Sequence, residues 1–138
     1  MNDDQLINFI ETKILCRLKQ SPYGVGVFAI KNIPADTVLF EDEYVVVTNS
    51  FIPKETFSNS ADGIKKMLND FFPLKNGNYI INQHTLFVMN MNLRNYINHS
   101  KNCNVDIYSY RTLRNIEIGE EIFVDYTLLN YENDFNLI

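Results

Sequence analysis

The chain has 138 residues, 46% of them hydrophobic and 13% aromatic, which suits one domain with a real core and excludes wholesale disorder. Its net charge of −5 and pI near 4.9 argue against binding nucleic acid or anionic membrane, both of which need a cationic face, and favour a basic partner. Two cysteines, Cys16 and Cys103, cannot build a disulfide framework, and with no C-x-x-C pair no zinc knuckle is expected. The opening MNDDQLINFIETK is acidic and broken by polar residues, so it reads as neither signal peptide nor membrane span. An intracellular setting is the expectation.

In chain order, Asp3 and Asp4 can cap a short helix with Leu6, Phe9, Ile10 and Ile14 on one face. Alternation of Ile14, Cys16 and Leu18 against Lys13, Arg17 and Lys19 predicts a strand, and Ser21-Pro22-Tyr23-Gly24-Val25-Gly26 a turn. Further strands are predicted over Val27–Ile30, Thr37–Glu41 and Tyr44–Thr48. Ile64, Met67, Leu68, Phe71 and Phe72 fall at helical spacing, with Ser58 or Ser60 as cap and Pro73 as stop. Asn76-Gly77-Asn78 predicts a hairpin turn between short strands near Leu74 and over Tyr79–Asn82. Thr85–Met89, Val105–Leu113 and Ile122–Tyr126 complete the predicted strands. Many short strands, a clear helix and no alternation of strand with helix indicate a β-rich α+β fold.

The plain catalytic templates fit poorly. His84 and His99 are the only histidines, and His99 beside Ser100 cannot form a nucleophile–base pair, because adjacent side chains diverge in extended chain. His99 and Cys103 are four apart without a second ligand pair, so no metal is expected. Gly24-Val25-Gly26 lacks the third glycine and following helix of a dinucleotide fingerprint, which leaves a plain tight turn as its bland reading.

Three segments taken together and in order are more specific: Ser21-Pro22-Tyr23-Gly24-Val25-Gly26-Val27-Phe28-Ala29, then Tyr96-Ile97-Asn98-His99-Ser100-Lys101-Asn102-Cys103-Asn104, then Leu113-Arg114-Asn115-Ile116-Glu117-Ile118-Gly119-Glu120-Glu121-Ile122-Phe123-Val124-Asp125-Tyr126. This series resembles the SET domain of protein-lysine methyltransferases, whose patterns are G-x-G-V-F-A, R-F-I-N-H-S-C-x-P-N and L-R-D-I-x-x-G-E-E-L-x-x-D-Y. The resemblance covers roughly Ile14 to Tyr131. It implies a single domain over 1–138, with a core of about 14–131 and a variable region of about 49–78, folded as several short-stranded sheets with a C-terminal pseudoknot. Lys101 stands where the family has a zinc-sharing cysteine, and no cysteine-rich segment follows Tyr126, so the two absences agree. Cys103 replaces the usual proline, and Asn95 the usual arginine, with Arg94 one place off. N-H-S-K without zinc modules is similar to the minimal stand-alone SET enzymes of large DNA viruses.

The resemblance implies S-adenosyl-L-methionine as methyl donor. By it the Gly24–Val25–Gly26 turn lies against the cofactor's methionine part, where a Cβ would obstruct the approach. Asn98 meets the cofactor's amino group through its side chain, His99 contacts the adenine through its backbone, and Tyr126 stands at the mouth of the lysine channel, touching the transferred methyl's path. Asn104 is expected to brace the knot, Glu120 and Glu121 to serve turn and fold, and Tyr79, Tyr108 and Tyr110 to pack in strands in preference to lining the channel, with Tyr131 or Phe135 as an aromatic lid.

The function so implied is protein-lysine N-methylation, with a basic peptide such as a histone tail as substrate. A non-histone substrate and a non-catalytic peptide-binding module are the rival readings. A homodimer and a nuclear location follow by analogy. From Asn115 onward the chain carries six acids (Glu117, Glu120, Glu121, Asp125, Glu132, Asp134) and no Lys or Arg; the resemblance implies that this segment lies beside the peptide groove, where it either steers a cationic tail or is an ordinary solvated acidic tail.

Overall fold

The computed structural model describes residues 1–41 and 48–129. The chain divides into two compact units, one of Met1–Leu15 and Phe40–Asn92, the other of Cys16–Leu39 and Leu93–Ile138. The predicted strand Tyr44–Thr48 lies, except for Thr48, outside the described residues, as do Tyr131, Glu132, Asp134 and Phe135.

The first unit begins with α1 (Asp3–Lys13), which buries Leu6, Phe9 and Ile10. Its cap is Asn2, not Asp3 or Asp4. The Asn2 side chain accepts from the Gln5 amide at 2.8 Å and the Gln5 side chain accepts from the Asn2 amide at 2.9 Å, a reciprocal capping box. Asp3 and Asp4 sit in the first turn, where a carboxylate complements the helix dipole. A three-stranded antiparallel sheet follows, formed by β3 (Asn49–Pro53), β4 (Leu74–Lys75) and β5 (Asn78–Asn82) with β5 in the middle. Strands β4 and β5 are joined by the two residues Asn76 and Gly77, both at positive φ (52° and 77°). That is the twist an Asn-Gly hairpin provides, as the sequence predicts.

Between β3 and β4 lie a 3₁₀ turn (Lys54–Phe57) and α2 (Asp62–Phe71), whose buried residues are Ile64 and Leu68. Three details differ from expectation. Ala61, which offers no side-chain bond, precedes α2; Ser60 instead donates to the Glu11 carboxylate; and Phe71 is exposed while Phe72 is buried. The predicted strand Thr85–Met89 is part of a helix, α3 (Gln83–Asn92). The Asn82 side chain accepts from the Thr85 amide at 3.0 Å and so caps it. Its buried face is Gln83, Leu86, Phe87 and Asn90, a helical spacing disguised by two amides. Gln83 is satisfied inside, donating to the Met1 carbonyl at 2.9 Å and to Ser50 Oγ at 3.2 Å, and Phe87 stacks on Phe9 with ring centroids 4.2 Å apart.

Among its described residues the second unit has little regular structure. Strands β1 (Cys16–Ser21) and β2 (Gly24–Ala29) form an antiparallel hairpin around Pro22 and Tyr23, so both glycines belong to β2 and not to the turn itself. Strand β6 (Asn98–His99) runs parallel to β7 (Phe123–Val124). Single bridges do the rest: Phe28 with Glu121, Ile33 with Ile116, Val38 with Arg111, and Val105 with Thr112.

Two predicted strands are corrected by this pattern, and a third is reduced to a bridge at Val38. Val105–Leu113 bends back on itself, because the Asp106 carboxylate accepts from the Tyr108 and Ser109 amides and from the Ser109 hydroxyl, and Tyr110 adopts φ 55°. Ile122–Tyr126 is a strand only over Phe123–Val124. Asp125 then caps a 3₁₀ turn (Tyr126–Leu128) by accepting from the Thr127 amide at 2.9 Å.

Val27, Ile33, Ile97, Val105, Ile116, Ile122 and Val124 supply the core, together with Cys16, whose thiol burial pushes up to about 12 and renders inert. Mixed helices and several small sheets make this the strand-rich α+β fold expected.

Candidate functional site

Within the second unit, the three sequence motifs meet. Strand β2 is bonded to the segment before β7: the Ala29 amide donates to the Glu120 carbonyl at 2.9 Å, and the Ile122 amide to the Val27 carbonyl at 2.7 Å. That register places Glu121 opposite Phe28. Strand β7 in turn pairs with β6 and so brings Asn98 and His99 alongside.

The segment after β6 is tied to β7 by main and side chain. The Ser100 amide donates to the Val124 carbonyl at 3.0 Å, and the Asn104 and Val105 amides share the Phe123 carbonyl, each at 3.2 Å. Buried Asn104 donates from Nδ2 to the Glu121 carbonyl at 2.9 Å and accepts at Oδ1 from the Phe123 amide at 2.8 Å. It braces this crossing, as its expected role requires.

Asn98 faces the hairpin. Its Nδ2 lies 2.8 Å from Glu121 Oε2, 3.1 Å from the Val25 carbonyl and 3.4 Å from Ser21 Oγ. The two glycines act differently from one another. Gly24 has φ 101° with open space where a Cβ would stand, so its glycine is required by the backbone. A Cβ on Gly26 would come within 2.5 Å of Glu121 Oε2 and 3.1 Å of Asn98 Nδ2. What that missing side chain admits in this structure is therefore the Glu121 carboxylate. Val25 between them is half exposed.

His99 is the hinge between Asn98 and Tyr126. Its Nδ1 accepts from the Tyr126 amide at 3.0 Å, which puts the ring proton on Nε2, and that buried Nε2–H has no partner among the described residues. Asp125 Oδ1 is 3.7 Å from Nδ1, and bonds from the Thr127 hydroxyl hold the Asp125 carboxyl below its usual range. The Tyr126 hydroxyl donates to the Ile97 carbonyl. Burial, assisted by nearby Tyr110, pushes the Tyr126 phenol above its usual value, so it stays protonated at neutral pH.

The remaining tyrosines take other work. Tyr79 is buried in the first unit against Phe57 and donates to Asn69, Tyr108 is exposed and donates to the Leu128 carbonyl, and Tyr110 lies under the Arg94 guanidinium at 5.7 Å. Glu120 and Glu121 diverge. Glu120 is a turn residue, accepting from the Glu117 amide at 2.7 Å and pairing with Arg114 at 3.1 Å. Glu121, expected to serve the fold alone, points into the site. Its alternation with Glu120 along the segment is the signal that could have separated them, since neighbours in extended chain face opposite ways.

The family profile described as SET domain matches residues 24–127. No curated protein sequence matches the chain significantly. Among solved structures, the chain is similar to ctPRC2 in an autoinhibited conformation bound to S-adenosylmethionine, at 20% identity and a TM-score of 0.39. That match covers 88% of this chain and 16% of the other, so the chain spans well under a fifth of that relative's length. A humanized mutant of the Chaetomium thermophilum Polycomb Repressive Complex 2 bound to the inhibitor GSK126 is similar at 22% identity and a TM-score of 0.35, over 86% of this chain and 15% of that one.

Proposed function

The chain belongs to the SET-domain family, and on that premise we propose that it is a protein-lysine N-methyltransferase acting on a basic peptide such as a histone tail. S-adenosylmethionine is the methyl donor of SET methyltransferases. The observation that carries the reading is the convergence, in one unit, of the glycine hairpin, Asn98–His99 and Glu121–Tyr126.

The residues present fit such a cofactor. Gly24 leaves open space on its exposed side, Asn98 brings a polar amide to the hairpin, and His99 carries a buried Nε2–H that has no acceptor among the described residues. When bound, the cofactor supplies an electrophilic methyl on a sulfonium. The hairpin and Asn98 would hold its amino-acid end, and the His99 backbone its adenine.

Tyr126 then orients the amine. Its hydroxyl proton is committed to the Ile97 carbonyl, so the oxygen's lone pairs are left to accept from a substrate amine and to tolerate cationic charge. A phenol held above its usual pKa is no general base at neutral pH, and the amine's proton leaves to water. His99 fixes where this happens, because its bond to the Tyr126 amide sets the start of the Tyr126–Leu128 turn. The acidic residues Glu117, Glu121 and Asp125 favour a cationic substrate.

The test is transfer of labelled methyl to histones and to a cell-extract panel. Lysine labelling of histones is the expected result; labelling of other proteins alone would move the substrate, and binding without transfer would leave a peptide-binding module. Tyr126→Phe should cut turnover strongly while cofactor affinity stays near wild type. Wild-type turnover at saturating substrate would refute the role given to the hydroxyl.

A further inference from the structure

We infer that Glu121 is a positioning residue. It fixes the rotation of the Asn98 side-chain amide, so that Asn98 presents its carbonyl oxygen, not its NH₂, to the ammonium of the bound methyl donor. This rests on the reading that Asn98 meets the cofactor's amino group.

The argument is one of donors and acceptors. Asn98 Nδ2 faces a carboxylate oxygen at 2.8 Å and a backbone carbonyl at 3.1 Å, neither of which can donate. Rotating the amide by half a turn would set Oδ1 against both oxygens, oxygen facing oxygen, beside a full negative charge. The Ser21 hydroxyl at 3.4 Å could donate to such an oxygen, but it is the longest of the three contacts and cannot offset the other two. Asn98 therefore has one orientation, with Oδ1 turned away from Glu121. An oxygen so placed accepts from an ammonium and cannot serve a carboxylate. The Glu121 charge also polarises the amide it holds and strengthens Oδ1 as an acceptor.

Two features of the chain keep Glu121 in place. The antiparallel bridge to Phe28 sets its register against β2. Gly26 provides the room, since a Cβ there would lie 2.5 Å from Oε2 and 3.0 Å from Cδ of Glu121. Gly26 carries no positive φ, so an alanine at this position is opposed by the carboxylate and not by its own backbone.

The measurement is the ratio of two dissociation constants, one for S-adenosylmethionine and one for its analogue lacking only the α-amino group, taken by calorimetry on the full chain. Wild type should prefer the amino compound by at least about tenfold, the range of a charge-assisted hydrogen bond. Glu121→Ala should bring the preference to within about twofold by weakening the amino compound while leaving the analogue almost unchanged. Glu121→Gln retains an acceptor without the charge and should fall between, and Gly26→Ala should lower the preference by crowding the carboxylate out. If Glu121→Ala does not fold, the intermediate ratio for Glu121→Gln carries the test. Equal weakening of both ligands would mark Glu121 as merely structural and overturn the inference. If Asn98→Ala loses the preference but the Glu121 and Gly26 variants keep it, the inference fails and the reading of Asn98 stands. Should wild type show no preference, or Asn98→Ala keep it, that underlying reading falls and takes the inference with it.

Discussion

Each of the two units is stabilised internally by its own kind of chemistry. Among its described residues the unit of Met1–Leu15 and Phe40–Asn92 is built from three helices and a three-stranded sheet, closed by apolar packing such as Phe9 on Phe87 and Phe57 against Tyr79. Among its described residues the unit of Cys16–Leu39 and Leu93–Ile138 has one hairpin, one two-residue parallel pair and single bridges, and side chains such as Asn104, Asp106 and Asn98 bond its backbone. The candidate site lies in the second. Regular strands satisfy their own backbone and aim side chains only up or down, whereas irregular chain frees amides and carbonyls to be met by side chains from several directions. Such an arrangement suits the polar cofactor and the cationic substrate proposed above.

The contrast can be broken from either side. Phe87→Ala should cost the most, about 3–5 kcal/mol, because a buried aromatic leaves both its transfer energy and a cavity. Denaturant unfolding gives the total, and hydrogen exchange should show lost protection in α1 and α3. Asn104→Ala should follow, at about 2–4 kcal/mol, since it strips partners from the Phe123 amide and the Glu121 carbonyl in a buried crossing. Asn104→Asp should recover none of that loss, because its second carboxylate oxygen would face the Glu121 carbonyl in a buried site. A loss below about 1 kcal/mol for the alanine would mean that water or backbone takes over both bonds, and the contrast between the units would weaken.

Smaller effects sharpen the same comparison. Asn82→Ala removes the cap of α3 and should cost about 1 kcal/mol. Glu120 tests the electrostatic part. Its carboxyl is held below the usual range by the Arg114 guanidinium and the Glu117 amide. A depressed carboxyl contributes stability above its unfolded pKa and loses it as pH falls through the folded one. Wild type should therefore lose more stability than Glu120→Gln between about pH 6 and about pH 3, and the two curves should converge below. The pair is exposed, so high salt should shrink the difference.

Local chemistry was legible from the residues alone. Asn76-Gly77 determined its hairpin because both residues tolerate positive φ, Ile64 and Leu68 determined the buried stripe of α2, and the ordered motifs around Gly24, Asn98 and Tyr126 determined the family. Each of these depends on neighbours within a few residues or on residue identity. The rest depended on what comes near in space. Thr85-Leu86-Phe87-Val88 has strand-like composition, yet α3 forms because Asn82 caps it and the amides of Gln83 and Asn90 can be buried. Val105–Leu113 alternates like a strand, yet Asp106 offers the backbone a closer partner than any neighbouring strand. Glu120 and Glu121 are identical in the sequence. The bridge between Phe28 and Glu121 alone decides that one carboxylate closes a turn beside Arg114 while the other lies against Gly26 and holds Asn98, because in extended chain a shift of one residue exchanges the two faces.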